Sequence, residues 1–86
     1  MTALWHKFLN EWRAELRRRV QSDPAYDWPD KSEAAIESCI QRMVPAIHCG
    51  AVSFAGSPAL RAAARRCGIT STKALKTLFT ENEVTA

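Results

Sequence analysis

The chain has 86 residues, a formal net charge of +3 and a composition that is 47% hydrophobic and 24% charged. This length suits one small domain, and the composition excludes a disordered chain. No apolar run approaches the roughly 18 residues that a membrane-spanning helix needs. The N-terminal stretch lacks the pattern of a signal peptide, so we expect a cytoplasmic protein with no membrane partner.

The first predicted helix runs from about Thr2, a candidate N-cap, to Val20. Its apolar residues recur at spacings of three, four and seven and form one stripe on a helix. The stripe consists of Leu4, Trp5, Phe8, Leu9, Trp12, Leu16 and Val20. We interpret Trp5 and Trp12 as core residues, with an exposed anchor for a protein partner as the alternative. Two prolines in residues 21–30 (QSDPAYDWPD) then predict a loop.

The second predicted helix starts near Asp30, because Asp30 and Glu33 resemble a capping box with aspartate as the cap. Its apolar stripe comprises Ala35, Ile36, Cys39, Ile40, Met43, Val44 and Ile47. Pro45 has no backbone N–H and crowds the preceding turn, so we expect the helix to stop or kink near Val44. Residues 46–56 then form a compact connection that can include a short extended piece.

The third predicted helix has Ser57 as its N-cap, Pro58 at its first position and Gly68 as its left-handed C-terminal residue. Its inward residues are Leu60, Ala63, Ala64 and Cys67. A fourth helix follows, capped by Thr70 or Ser71, with Ala74, Leu75, Leu78 and Phe79 facing inward. We expect residues 81–86 to fray. The sequence therefore predicts one all-α domain over residues 1–86, a small bundle of about four helices.

Charge is segregated along the sequence. Residues 1–20 carry a net charge of +3, residues 21–50 carry −3, and residues 51–80 contain five cations and no acid. The five are Arg61, Arg65, Arg66, Lys73 and Lys76. A polyanion is expected to bind in this basic segment, where Arg61 and Arg65 are one i,i+4 step apart. A solvated basic face is the alternative, and Arg13 and Arg17 form a similar pair on the first helix.

The stretch AAARRCGITSTKALKTLF places a small residue, a glycine and an apolar residue at defined offsets: Ala64, Gly68 and Ile69. In this respect residues 57–79 resemble the helix-turn-helix DNA-binding superfamily. The resemblance implies that polar residues at the start of the last helix lie at or near the nucleic acid. These residues are Thr70, Ser71, Thr72, Lys73, Lys76 and Thr77.

In this interpretation Ser71, Thr72 and Lys73 contact base edges. Phosphate contacts come from Arg61, Arg65, Arg66 and Lys76. The family pattern has buried residues six and nine positions after the glycine, where this chain has Ala74 and Thr77, whereas Leu75 and Leu78 lie one position further on. A plain helical hairpin capped by Gly68 is the alternative.

The loop before the second helix suggests another function. Trp28 lies beside Tyr26 and is flanked by Asp27 and Asp30, so this loop can dock on a basic protein partner or cover the core. The protein is then an interaction module or inhibitor. It is similar, in size and character only, to small inhibitors encoded by phages and other mobile elements. Homodimerisation is compatible with either function.

No residue pattern indicates a cofactor, a metal site or a catalytic site. The three cysteines, Cys39, Cys49 and Cys67, fit neither a disulfide framework nor a CxxC site. His48 beside Cys49 lacks the paired spacing of zinc ligands. We expect buried or half-buried thiols in a reducing compartment, and no enzyme activity. The leading interpretation is a small regulatory protein that binds double-stranded DNA.

Overall fold

The computed structural model describes residues 3–49 and 57–82. All regular structure within these residues is helical, which confirms the predicted all-α bundle of four helices. The helices are α1 (Ala3–Ser22), α2 (Glu33–His48), α3 (Pro58–Arg66) and α4 (Thr72–Glu81). Among the described residues, no helix is long and apolar enough to cross a membrane.

The core is built from aromatic side chains of α1 and α4. Trp5, Phe8 and Trp12 are at most 1% exposed, which confirms both tryptophans as core residues. The Phe79 ring packs edge-on against them, with its centroid 5.1 Å from that of Trp5 and 5.6 Å from that of Phe8. Edge-to-face packing of this kind is favourable. Leu4, predicted to belong to the buried stripe, is instead exposed at the first turn of α1.

α3 packs on α1 through alanines. Ala59, Ala63 and Ala64 are buried, and small side chains at a helix contact let the two backbones approach closely. Ser57 occupies the N-cap position and Pro58 the first helical position, as predicted, although the Ser57 side chain makes no capping hydrogen bond. α1 also contacts α2, and its aromatic rings contact Phe79 of α4, so α1 lies at the centre of the fold.

α2 begins later than predicted. Ser32 is its N-cap, and the Ser32 hydroxyl oxygen accepts a hydrogen bond from the Ala35 N–H at 3.3 Å. Asp30 accepts the Ser32 N–H at 2.9 Å, which is an Asx turn before the helix. The prediction of Asp30 as the cap was therefore wrong, because its carboxylate accepts the Ser32 N–H in the turn that precedes the helix.

α2 also passes through Pro45 and ends at His48, so of the predicted stop or kink near Val44 the stop was wrong. Proline removes one hydrogen bond from a helix interior. The flanking residues Ile40 and Ile47 are both buried in the same core, and we attribute the continuity of α2 to this packing. The connection begins after Cys49, and residues 50–56, including the predicted extended piece, lie outside the described residues.

The turn between α3 and α4 is a Schellman motif centred on Gly68. Gly68 has φ of +76°, as predicted for a left-handed C-terminal residue. Its N–H donates to the Arg65 carbonyl at 3.0 Å, and the Ile69 N–H donates to the Ala64 carbonyl at 2.9 Å. These two bonds satisfy carbonyls that the end of α3 leaves without an intrahelical partner.

α4 is capped by Ser71, whose hydroxyl oxygen accepts the Ala74 N–H at 3.1 Å. The expected fraying does not begin at Glu81, which is still helical. The buried Asn82 side chain donates to the Leu78 carbonyl at 2.9 Å. Residues 83–86 and the candidate cap Thr2 lie outside the described part of the chain.

We predict that Gly68→Ala lowers the free energy of unfolding by about 1 kcal/mol, because an L-residue is strained in the left-handed region. No atom lies within 4 Å of a Cβ added at Gly68, so the cost is conformational and not steric. Urea unfolding followed by far-ultraviolet circular dichroism measures it. The control Gly68→Asn should lose less, because asparagine tolerates this conformation. Equal losses in both variants would contradict the prediction.

Candidate nucleic-acid interface

Two arginines of α1 are engaged by carboxylates of α2. Arg13 donates to both oxygens of Glu37, from Nε at 2.5 Å and from Nη2 at 2.9 Å. Arg17 Nε donates to Glu33 at 2.9 Å. These hydrogen bonds hold the pKa of Glu37 and Glu33 below their ordinary values. Arg13 and Arg17 therefore do not form a free phosphate-binding pair.

The Glu15 carboxylate is buried among three arginines. Glu15 is only 3% exposed, and it accepts hydrogen bonds from Arg18 and, at 3.0 Å, from Arg19 Nε. Arg66 Nη2 of α3 lies 3.5 Å from Glu15 Oε2, and Arg66 Nη1 lies 3.8 Å from Glu11 Oε2. Burial alone would raise the pKa of Glu15, but the hydrogen bonds from Arg18 and Arg19 hold it below its ordinary value.

The predicted phosphate ligand Arg66 is thus turned toward α1. Its side chain is 58% exposed, but two carboxylates lie within ion-pair distance of its guanidinium group. A phosphate would have to compete with these carboxylates for the same donors. Arg66 therefore links α3 to α1 through ion pairs, whereas its sequence neighbour Arg65 has no ion pair among the described residues.

A groove of about 220 Å³ separates α3 from the start of α4. Arg61 and Arg65, both exposed, form its α3 wall. The groove is lined by Arg61, Ala64, Arg65, Ile69, Thr70, Ser71, Thr72 and Leu75. Lys76 lies one helical turn beyond Thr72, on the same side of α4. The structure thus brings together two arginines with the hydroxyl-rich first turn of α4.

The described residues that line the groove include two arginines and no acidic residue. Within residues 3–49 and 57–82, Arg61, Arg65 and Lys76 have no carboxylate within ion-pair distance. The first N–H groups of α4 add the positive end of a helix dipole at the base of the groove. Such an arrangement can bind phosphate groups without any further chemistry.

The buried positions of α4 differ from those of the helix-turn-helix pattern. Ala74 and Thr77, six and nine residues after Gly68, are exposed, so the prediction that Ala74 faces inward was wrong. Leu75 and Leu78 are buried in their place. α4 therefore presents its residues with a shift of one position relative to that family, as the spacing of its leucines indicated.

This shift moves one predicted contact residue away from the groove. Lys73 lines a separate depression on the other side of α4, whereas Thr72 lines the groove. The Thr77 hydroxyl donates to the Lys73 carbonyl at 3.0 Å and is not free for a ligand. The signal that separates Lys73 from Thr72 was present in the sequence, because the buried face fixes how the helix is rotated.

The predicted protein-binding loop lies elsewhere in the fold. Tyr26 and Trp28 are half-buried against the core, with ring centroids 6.3 Å apart, while Asp27 is exposed. Trp28 and Asp30 also border an open depression of about 510 Å³, together with Arg42 of α2. Trp28 thus covers the core with part of its surface and borders the depression with another part.

The cysteines are free thiols. Cys39 and Cys67 are half-buried as expected, and burial raises the pKa of both thiols. Cys49 is exposed, contrary to expectation, because it follows the last buried residue of α2 at the helix end. Among the described residues, no group of three or more His, Cys, Asp or Glu side chains could hold a metal ion.

Comparison with known proteins identifies no family for this chain. No protein-family model matches the chain, and no curated protein or solved structure is significantly similar to it. The interface therefore rests on the positions and charges of its own residues.

We predict that acid weakens the fold through the paired carboxyls. Glu15, Glu33 and Glu37 have pKa values lowered by folding. Their stabilisation is therefore present above the unfolded pKa of about 4.3 and is lost as the pH falls through the folded pKa. Glu15→Gln should lower the free energy of unfolding by about 2 kcal/mol at pH 7 and by less at pH 3.

Urea unfolding at both pH values measures this difference. Asp27→Asn is the control, because Asp27 is exposed and has no ion pair among the described residues. Its effect should be small at both pH values. If Glu15→Gln lowers the free energy of unfolding equally at both pH values, the charge of Glu15 does not stabilise the fold.

Proposed function

We propose that this protein is a small, non-catalytic regulator that binds double-stranded DNA through the groove between α3 and α4. The main observation behind the proposal is where the cationic side chains without a carboxylate partner lie among the described residues. Arg61 and Arg65 line the groove and have no carboxylate partner among the described residues, while Arg13 and Arg17 are engaged by α2.

The two arginines suit contact with a phosphate backbone. Arg61 and Arg65 lie on the same side of α3, with Cα atoms about 6 Å apart along the helix axis. Each guanidinium group can donate two parallel hydrogen bonds to a phosphate. Lys76, one helical turn after Thr72, adds a third positive charge on the same side of α4. Contacts of this kind position a protein on DNA and make its binding depend on salt.

The first turn of α4 is the part of the interface suited to base contacts. Thr70, Ser71 and Thr72 line the groove, and hydroxyl groups can donate to or accept from base edges. In helix-turn-helix proteins the residues at the start of the second helix contact bases. We assign this role to Thr72 first, since the Ser71 oxygen already caps α4.

A second candidate function is a protein-binding module or inhibitor. The observation that favours it is the depression bordered by Trp28, Asp30 and Arg42, which combines an aromatic ring with opposite charges. Tryptophan and arginine are enriched at binding hot spots. Ser38→Arg would fill this depression from the exposed side of α2, without altering a buried residue. This variant should lose a protein partner bound there and retain DNA binding.

We predict that Arg61→Ala combined with Arg65→Ala reduces affinity for duplex DNA by about tenfold or more. The slope of log K against log salt concentration should become less steep by about 2, because two phosphate contacts are removed. Fluorescence anisotropy with a labelled duplex, between about 50 and 200 mM salt, measures both quantities. Circular dichroism checks that the variant is folded.

The matched control is Lys31→Ala combined with Arg42→Ala. This pair removes the same net charge from exposed residues that also lack carboxylate partners among the described residues. Its affinity and salt slope should remain close to those of the unaltered protein. Equal losses in the two double variants would indicate only a general effect of net charge. Absence of binding by the unaltered protein at low salt would refute the proposed function.

A further inference from the structure

One face of α4 carries a row of exposed residues that the groove does not use. Lys73, Thr77 and Glu81 follow one another at i,i+4 spacing and therefore lie on one side of the helix. They border a shallow depression of about 400 Å³, together with Ala74 and Leu4. Leu4 is 43% exposed, and among the described residues it is the one large hydrophobic side chain that is exposed.

This row is self-complementary about its centre. Lys73 and Glu81 each lie four residues from Thr77, and their Cα atoms are about 12 Å apart along the helix axis. That separation is too large for an ion pair within one chain. If a second α4 lies antiparallel with the two Thr77 residues at a twofold axis, each Lys73 lies opposite the Glu81 of the other chain. Twofold interfaces require this reciprocity.

We infer that this face is an interface between two copies of the chain, with the two α4 helices antiparallel. The charges on α4 favour this arrangement for a second reason. Lys73 lies near the positive N-terminus of α4 and Glu81 near its negative C-terminus, so each charge is unfavourable for its own helix dipole. In the antiparallel pair, each charge lies beside the oppositely charged end of the other helix.

The middle of the face is suited to close packing. Ala74 has a small side chain, which lets two helices approach. The Thr77 hydroxyl donates to the Lys73 carbonyl, so the Thr77 methyl group is available for contact. Leu4 adds apolar surface beside Ala74. An apolar centre with charges at its rim is the usual arrangement of a protein interface.

The inference does not depend on nucleic-acid binding. At 3.6 residues per turn, the centre of the Lys73–Thr77–Glu81 row lies about 120° around α4 from the midpoint between Thr72 and Lys76. The dimer face and the DNA groove therefore occupy different sides of the same helix. A charge reversal in the dimer face can therefore be compared with the same reversal on the side of α4 that carries Thr72.

Sedimentation equilibrium over micromolar to millimolar concentrations tests the inference. The unaltered chain should shift from its monomer mass of 9.6 kDa toward twice that value. Lys73→Glu and Glu81→Lys should each raise the dissociation constant by about tenfold or more, because like charges then face each other. An equimolar mixture of these two variants should associate again, since one chain then has acids at both rim positions and the other has bases.

Both single variants replace a charge that is unfavourable for the dipole of α4, so neither should weaken the helix. Circular dichroism checks this. Lys76→Glu is the matched control: it should dimerise like the unaltered chain while its affinity for DNA falls. The inference is overturned if the unaltered chain stays monomeric throughout, if Lys73→Glu dimerises normally, or if the mixed variants remain monomeric.

Discussion

The ion pairs of α1 determine which charges of this protein remain available. α1 contains four arginines, and each of them lies against a carboxylate. The pairs of Arg13 with Glu37 and of Arg17 with Glu33 join α1 to α2. Two of the five acids in residues 21–50 are thus paired with α1. α3 and α4 carry four of the cations that have no ion pair among the described residues: Arg61, Arg65, Lys73 and Lys76.

These pairs differ in what they contribute to the fold. Exposed ion pairs such as Arg17 with Glu33 add little stability, because solvent screens them and the side chains lose freedom. Glu15 is different, since an uncompensated carboxylate in a buried position would be costly. The bulk of the stability comes from the aromatic core around Phe79. The exposed ion pairs therefore affect the surface charge more than they stabilise the fold. In this way the arginines of α1 bear on the function proposed for α4.

The sequence predicts the helices well because their signals are local. Apolar spacing and the glycine at position 68 depend on residues within a few turns of one another. The course of α2 through Pro45 was not predictable in this way, because it depends on packing against other helices. The same limit applies to the site. That Arg66 faces Glu15 follows from how α3 meets α1, which the pattern of residues along the sequence does not contain. The position of Lys73 outside the groove, in contrast, could be predicted from the buried face of α4.

α4 thus carries two distinct surfaces, one beside the arginines of α3 and one beside the start of α1. The most direct test of the proposed nucleic-acid interface is a titration of ¹⁵N-labelled protein with a short DNA duplex at low salt, followed by NMR. The amide shifts should change most within residues 61–65 and 70–76, and the Nε–H signals of Arg13 and Arg17 should stay in place. Absence of any change, or the largest changes at those α1 side chains, would contradict the account.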